Sequence, residues 1–157
     1  MTDPRWKPNV TVAAVIEQAG RFLLVEEERP DGLMLNTPAG HLDPGESPAE
    51  GCAREALEET AHRFTPTALI GIYMARSRQG AHDLTYMRFA FAGELGDREP
   101  GRALDHGIVR TLWMTPEEIR ASQSRHRSPL LLQCVEDHLA GRRHPLSLVH
   151  VDPSVRG

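Results

Sequence analysis

Residues 40–62 read GHLDPGESPAEGCAREALEETAH. The stretch changes character at Ser47. Ahead of it lies a loop rich in glycine and proline; after it the pattern is helical. Ser47 is placed to cap the helix, Pro48 takes the first helical position and Glu50 the third. That is a capping box with proline where its missing N–H costs least. Glu55, Glu58 and Glu59 follow at spacings of three and four, so a helix brings all three carboxylates to one face. Ala49, Ala53, Ala56, Leu57 and Thr60 are expected opposite them, small enough to let the helix lie close on a sheet. Like charges at this spacing repel, by roughly a few tenths of a kcal/mol per exposed pair. They call for a neutralising cation or for solvent. Hard divalent ions such as Mg²⁺ take carboxylate oxygens, keep several waters and bridge to phosphates.

The rest of the chain sets bounds on that reading. Its 157 residues suit one domain with one core, read here as residues 1–157 with a centre at about 7–150. Aromatic content is only 5%, so the core must be built of Leu, Val, Ile and Ala. A net charge of −4 gives no electrostatic case for a polymeric nucleic acid or an anionic membrane. Lys7 is the sole lysine, so a side-chain phosphate clamp would have to be an arginine fork. Cys52 and Cys134 make neither a disulfide framework nor a zinc site. The opening MTDPRWKPN is not an apolar signal segment, and the expected location is cytoplasmic.

Outward from the central stretch, residues 10–16 and 21–25 are apolar runs around a turn at Glu17-Gln18-Ala19-Gly20. Arg29-Pro30-Asp31-Gly32 is a further turn, and residues 33–37 a short strand ended by Pro38. Residues 68–75 and 84–95 are expected strands joined by the polar segment 76–83. Residues 96–101 read as a loop and 108–114 as a strand. Thr115-Pro116 and Ser128-Pro129 each open a helix, the second stopping at Gly141. His62 and Arg63 are expected at the negative end of the central helix. Strands, a helix, more strands and then helices predict an α/β (α+β) fold with a mixed central sheet between helices.

The succession Gly40, Glu46, Arg54-Glu55, Glu58-Glu59 resembles the Nudix box, G-x5-E-x7-R-E-U-x-E-E-x-G-U, with U a bulky apolar residue. Departures lie at its edges: Ala56 is small, Ala61 stands for the family glycine and His62 for the last apolar residue. The missing glycine bears on the helix end, because a left-handed terminus is unfavourable for alanine. The likeness extends to KPNVTVAAV at 7–15, NTPAGHL at 36–42, RFAF at 88–91, RSPL at 127–130 and HPL at 144–146, segments similar to the NudJ-type phosphatases of that family. The resemblance implies an α/β/α sandwich and Mg²⁺-dependent hydrolysis of a diphosphate linked to another moiety, with Mn²⁺ as a substitute. Its substrates would be nucleoside di- and triphosphates or the pyrophosphorylated thiamine pyrimidine precursor, small molecules in every case.

On that basis Glu55 and Glu59 are the expected main metal ligands, with Glu58 a third and the Gly40 carbonyl a loop ligand. Glu55, or else Glu58, would accept the proton from the attacking water. Arg54 is expected to reach back to Glu46 as a bidentate pair that supports the site. Arg88, Arg21 and Asp105 are the expected substrate-side residues, with His41 and Arg127-Ser128 as weaker neighbours. The rival to an enzyme is a non-catalytic nucleotide-binding module of the same fold, which would be expected to lack one of the box glutamates. Monomer and homodimer remain equally open.

Overall fold

Strand β1 (Asn9–Ala14) is buried on both of its faces, which is why it reads as a continuous apolar run and not as an alternation. Val12 and Ala14, with Ile16 beyond the strand, turn towards Cys52, Ala56, Phe64, Leu69 and Phe91. Ala13 and Val15 turn the other way, towards Phe22, Leu24, Ile70, Ala90, Leu131 and Val135. A sheet with apolar packing on both faces is the middle layer of a sandwich. The computed structural model describes residues 5–79 and 82–157. The first residues of the opening segment (1–4), and Gly80 and Ala81 of the expected polar connection, lie outside the described residues.

The remaining elements are β2 (Glu17–Gln18), β3 (Arg21–Arg29), β4 (Gly32–Asn36), β5 (Ala39–His41), α1 (Pro48–Thr60), β6 (His62–Gln79), β7 (His82–Arg98), β8 (Ile108–Met114), α2 (Pro116–Ala121) and α3 (Leu130–Leu139). One sheet has the order β5-β1-β7-β6. It is mixed, as expected: β1 runs parallel to β7, with Val12 opposite Phe89, and antiparallel to β5, with Val12 opposite Gly40. The second sheet is antiparallel and centred on β3, which carries β4 on one side and β8 on the other. Helix α1 packs on one face of the first sheet, and α3 on the other. No helix among the described residues is long and apolar enough to cross a membrane.

Four expectations need correction. Of the polar connection expected at 76–83, residues 76–79 belong to β6 and 82–83 to β7, paired with each other. The packed face of α1 is Cys52, Ala56 and Thr60, whereas Ala53 and Leu57 are only partly buried. The helix is rolled so that Glu55 and Glu59 also turn inward. His62 does not close the helix; it begins β6, because Ala61 adopts φ 61° and its N–H still reaches the Leu57 carbonyl at 2.9 Å. Burial of the Ala61 methyl offsets the left-handed strain. Residues 96–98 are strand, not loop. Gly96 lets β7 pass close to the Arg63 backbone, and the turn falls at Pro100-Gly101.

Candidate active site

The site begins with the caps that fix α1. Ser47 Oγ accepts from the Glu50 N–H at 3.1 Å, and Glu50 accepts from the Ser47 N–H at 2.8 Å. This sets the helix start against β5, whose Gly40 has no side chain to separate the two. A β-carbon there would fall well under 3.0 Å from the Glu55 carboxyl group. Glu55 therefore lies directly on the Gly40 backbone. One turn on, Glu59 accepts from the Ala39 N–H at 2.9 Å. Both glutamates are buried, at 8% and 6% exposure, while Glu58 is only partly buried on the flank.

Burial raises both carboxyl groups above their usual range. Glu59 is pushed up to about 9, first by desolvation, then by the neighbouring Glu27, Glu55 and Asp105 charges. Glu55 is also raised by desolvation, against the pull of Arg54. Among the described residues Arg54 is the one cation bonded to Glu46, Glu55 and Glu58. Its Nε and Nη2 fork onto the two oxygens of Glu46 at 3.0 and 2.8 Å, and Nη2 also donates to the His41 carbonyl at 2.9 Å. Its Nη1 donates to Glu55 at 2.9 Å and to Glu58 at 3.2 Å. The fork is the geometry expected for Glu46 and Arg54: it ties loop to helix, and it holds Glu46 below the usual carboxylate range.

Among the described residues no three acidic or imidazole groups converge on one point, because Glu55 and Glu58 are drawn to Arg54 and Glu59 to Ala39. The donor set nonetheless fits a hard divalent cation. It is all oxygen, its two buried members are raised by desolvation, and the glycine beside them leaves the backbone open.

Beside the carboxylates a cleft of about 360 Å³ opens between the two sheets. Glu59, Gly40, His41, Glu27 and Arg88 line it, as do His106, Arg127 and Ser128. Arg88 sits on its floor. Asp105 is brought to α1, its N–H donating to the Glu58 carbonyl at 2.9 Å, and its charge reaches Glu55 and Glu59. Arg21 is not brought to the cleft. It starts β3 away from the carboxylates, is half exposed, and faces Glu118 at 3.7 Å. The alternation of β3 explains a residue the sequence reading missed. Glu26 turns to Arg110 and Arg125, so Glu27 turns to the cleft. The signal was visible as an acidic run at the end of an apolar strand. Also missed were Asn36 and Thr37, which flank Arg88, and Tyr86, whose ring lies 6.3 Å from that of His41.

Comparison with known proteins identifies the family. The NUDIX domain family matches residues 6–133. The phosphatase NudJ of Escherichia coli (strain K12) is 37% identical over 145 residues, covering 92% of each chain. A solved NUDIX hydrolase from Nitrosomonas europaea is 52% identical, with a TM-score of 0.86 over 93% of this chain and 98% of that one. A MutT NUDIX hydrolase from Burkholderia pseudomallei shares the fold at 17% identity, with a TM-score of 0.68 over 84% of this chain and 98% of its own. The chain therefore belongs to the Nudix family, as a hydrolase that acts on phosphoanhydrides.

Proposed function

We propose that the protein is a Mg²⁺-dependent phosphatase or pyrophosphohydrolase of small cytoplasmic substrates. These are nucleoside di- and triphosphates, or pyrophosphorylated compounds such as the thiamine pyrimidine precursor; Mn²⁺ would substitute for Mg²⁺. The observation that carries this reading is the pair Glu55 and Glu59, buried together beside Gly40 and Ala39 on the backbone of β5. Similarity to the phosphatase NudJ along nearly the whole chain supports the substrate class.

Glu55, Glu59 and Glu58, with the Gly40 carbonyl, would hold the ion. When bound, a divalent cation neutralises phosphate oxygens and makes an attacking water more acidic. The chain's own residues do the rest. Glu55 accepts a proton from the water as its oxygen bonds to phosphorus and the bridging P–O bond breaks; Glu58 is the alternative acceptor. Arg54 donates to Glu55 and Glu58 at once, so it sets the orientation of both carboxylates and keeps the loop 41–46 against the helix. Asp105 adds negative charge at the same point. The test is phosphate or pyrophosphate release from a panel of nucleotides, with Mg²⁺ and with EDTA. Chelator-sensitive release is the expected result. Release that EDTA leaves unchanged, or none from any substrate, would sink the reading.

A further inference from the structure

Arg88 is 5% exposed, and among the described residues no carboxylate pairs with it. Arg54, Arg76, Arg110, Arg120 and Arg125 each meet an acidic side chain, and the arginines with no such pair among the described residues, such as Arg29 and Arg127, are less buried than Arg88. Arg88 has only neutral company. Its Nη2 donates to Asn36 Oδ1 at 3.2 Å and its Nη1 to Thr37 Oγ1 at 3.4 Å, both long, and its Nε is buried with no partner among the described residues. A guanidinium removed from water without an anion is costly, and long bonds to neutral groups offset only part of that cost.

Its place explains its presence. The strand registers set His41, Thr11, Arg88 and Tyr73 in one row across four strands, and Arg88 shares a sheet face with Ala90. His41, Thr11 and Arg88 of that row line the cleft, and Tyr73 continues it into the core. The cleft lining therefore carries both signs, with carboxyl groups at Glu27, Glu28 and Glu59 and guanidinium groups at Arg29, Arg76, Arg88 and Arg127, and of these four arginines Arg88 alone is buried. A ligand matching both signs carries one phosphoryl group for the carboxylate-held cation and a further oxyanion that the cation does not neutralise.

We infer that Arg88 is the specificity-determining anchor for a second phosphoryl group of the substrate, the one not under attack. The identity of that ligand as a phosphoanhydride rests on the function proposed above. The guanidinium supplies the counter-charge, and Asn36 and Thr37 hold its plane towards the cleft. Compounds that present a neutral group there are then poor substrates.

The experiment uses the full chain, with Arg88→Met and Arg88→Lys, and inorganic pyrophosphate as the probe in EDTA. Thermal melts are followed with and without pyrophosphate. Wild type should melt higher when pyrophosphate is added. Arg88→Met should melt higher than wild type without ligand, since an unpaired buried charge is gone, and should lose about 10- to 100-fold in pyrophosphate affinity. Arg88→Lys should keep part of the response. A wild type that ignores pyrophosphate, or an Arg88→Met protein that melts lower, fails to fold, or binds as before, would make Arg88 merely structural. The two readings fail separately. Pyrophosphate binding through Arg88 without chelator-sensitive hydrolysis removes the enzyme and keeps the anchor. Chelator-sensitive hydrolysis with an unchanged KM in Arg88→Met does the reverse.

Discussion

Replacing Gly40 by alanine separates the site from the fold. Gly40 does not have a positive φ, so alanine is conformationally acceptable there, and the unfolded chain loses some freedom. That change alone would stabilise by about 0.4–1 kcal/mol. The new methyl, however, falls on the Glu55 carboxylate, well under 3.0 Å from its carbon and both oxygens, where ordinary contact begins at 3.4 Å. The obstacle is the far end of a flexible side chain and not backbone, so the fold survives by turning Glu55 aside. The displacement needed is on the order of 1 Å, and a misplacement of that size costs about 100-fold in rate. Gly40→Ala should thus retain its circular dichroism spectrum and melt within a few degrees of wild type. Its Mg²⁺-dependent release of phosphate, followed colorimetrically, should fall by about 100-fold. Mn²⁺ affinity measured by calorimetry should weaken in parallel. A folded Gly40→Ala protein with wild-type turnover would refute the idea that Glu55 works from its seat against this glycine.

Arg54→Lys keeps the charge and loses the fork, since an ammonium cannot span both Glu46 oxygens while also reaching Glu55. With a side chain about a quarter exposed, the loss should be about 2 kcal/mol of stability, visible in denaturant melts, and turnover should fall with it. Unchanged stability would mean that the loop 41–46 is held by other contacts. The buried Glu26 gives a pH signature, because hydrogen bonds from Arg110 and then Arg125 hold its carboxyl below the usual range. A depressed folded-state pKa contributes stability that is complete above the unfolded value of about 4.3 and is lost as pH falls through the folded value. Wild type should therefore lose its stability margin over Glu26→Gln on acidification below about pH 4.3. A margin independent of pH would show that the two arginines do not act through its charge.

How much of this was legible follows from the range of each signal. The start of α1 and the spacing of its glutamates are local, so Ser47, Pro48 and Glu50 announced them. The Glu46–Arg54 fork was legible too, because its two residues are only eight positions apart. The roll of α1 was not. A single helix shows which residues share a face, but only the sheet beneath decides which face is buried, and here Gly40 and Ala39 draw Glu55 and Glu59 inward. Arg21 and Arg88 show the same limit. Both are arginines in strands beside apolar residues, and nothing local separates them. The separation comes from pairing: Gln18 opposite Arg21 places it at a sheet end, near Glu118, whereas Thr11 opposite Arg88 places it mid-sheet on the cleft floor. The same rule explains why Glu27 went unread. Its role depends on Glu26 being claimed by Arg110 and Arg125, which lie 84 and 99 positions away. Ala61 shows a local rule yielding to tertiary packing. Its sequence argued against a left-handed helix end, yet its buried methyl and the demand that β6 start at once hold it there. Chemistry carried by neighbours in the chain is thus open to a sequence, and chemistry assembled across strands becomes readable only once register is known.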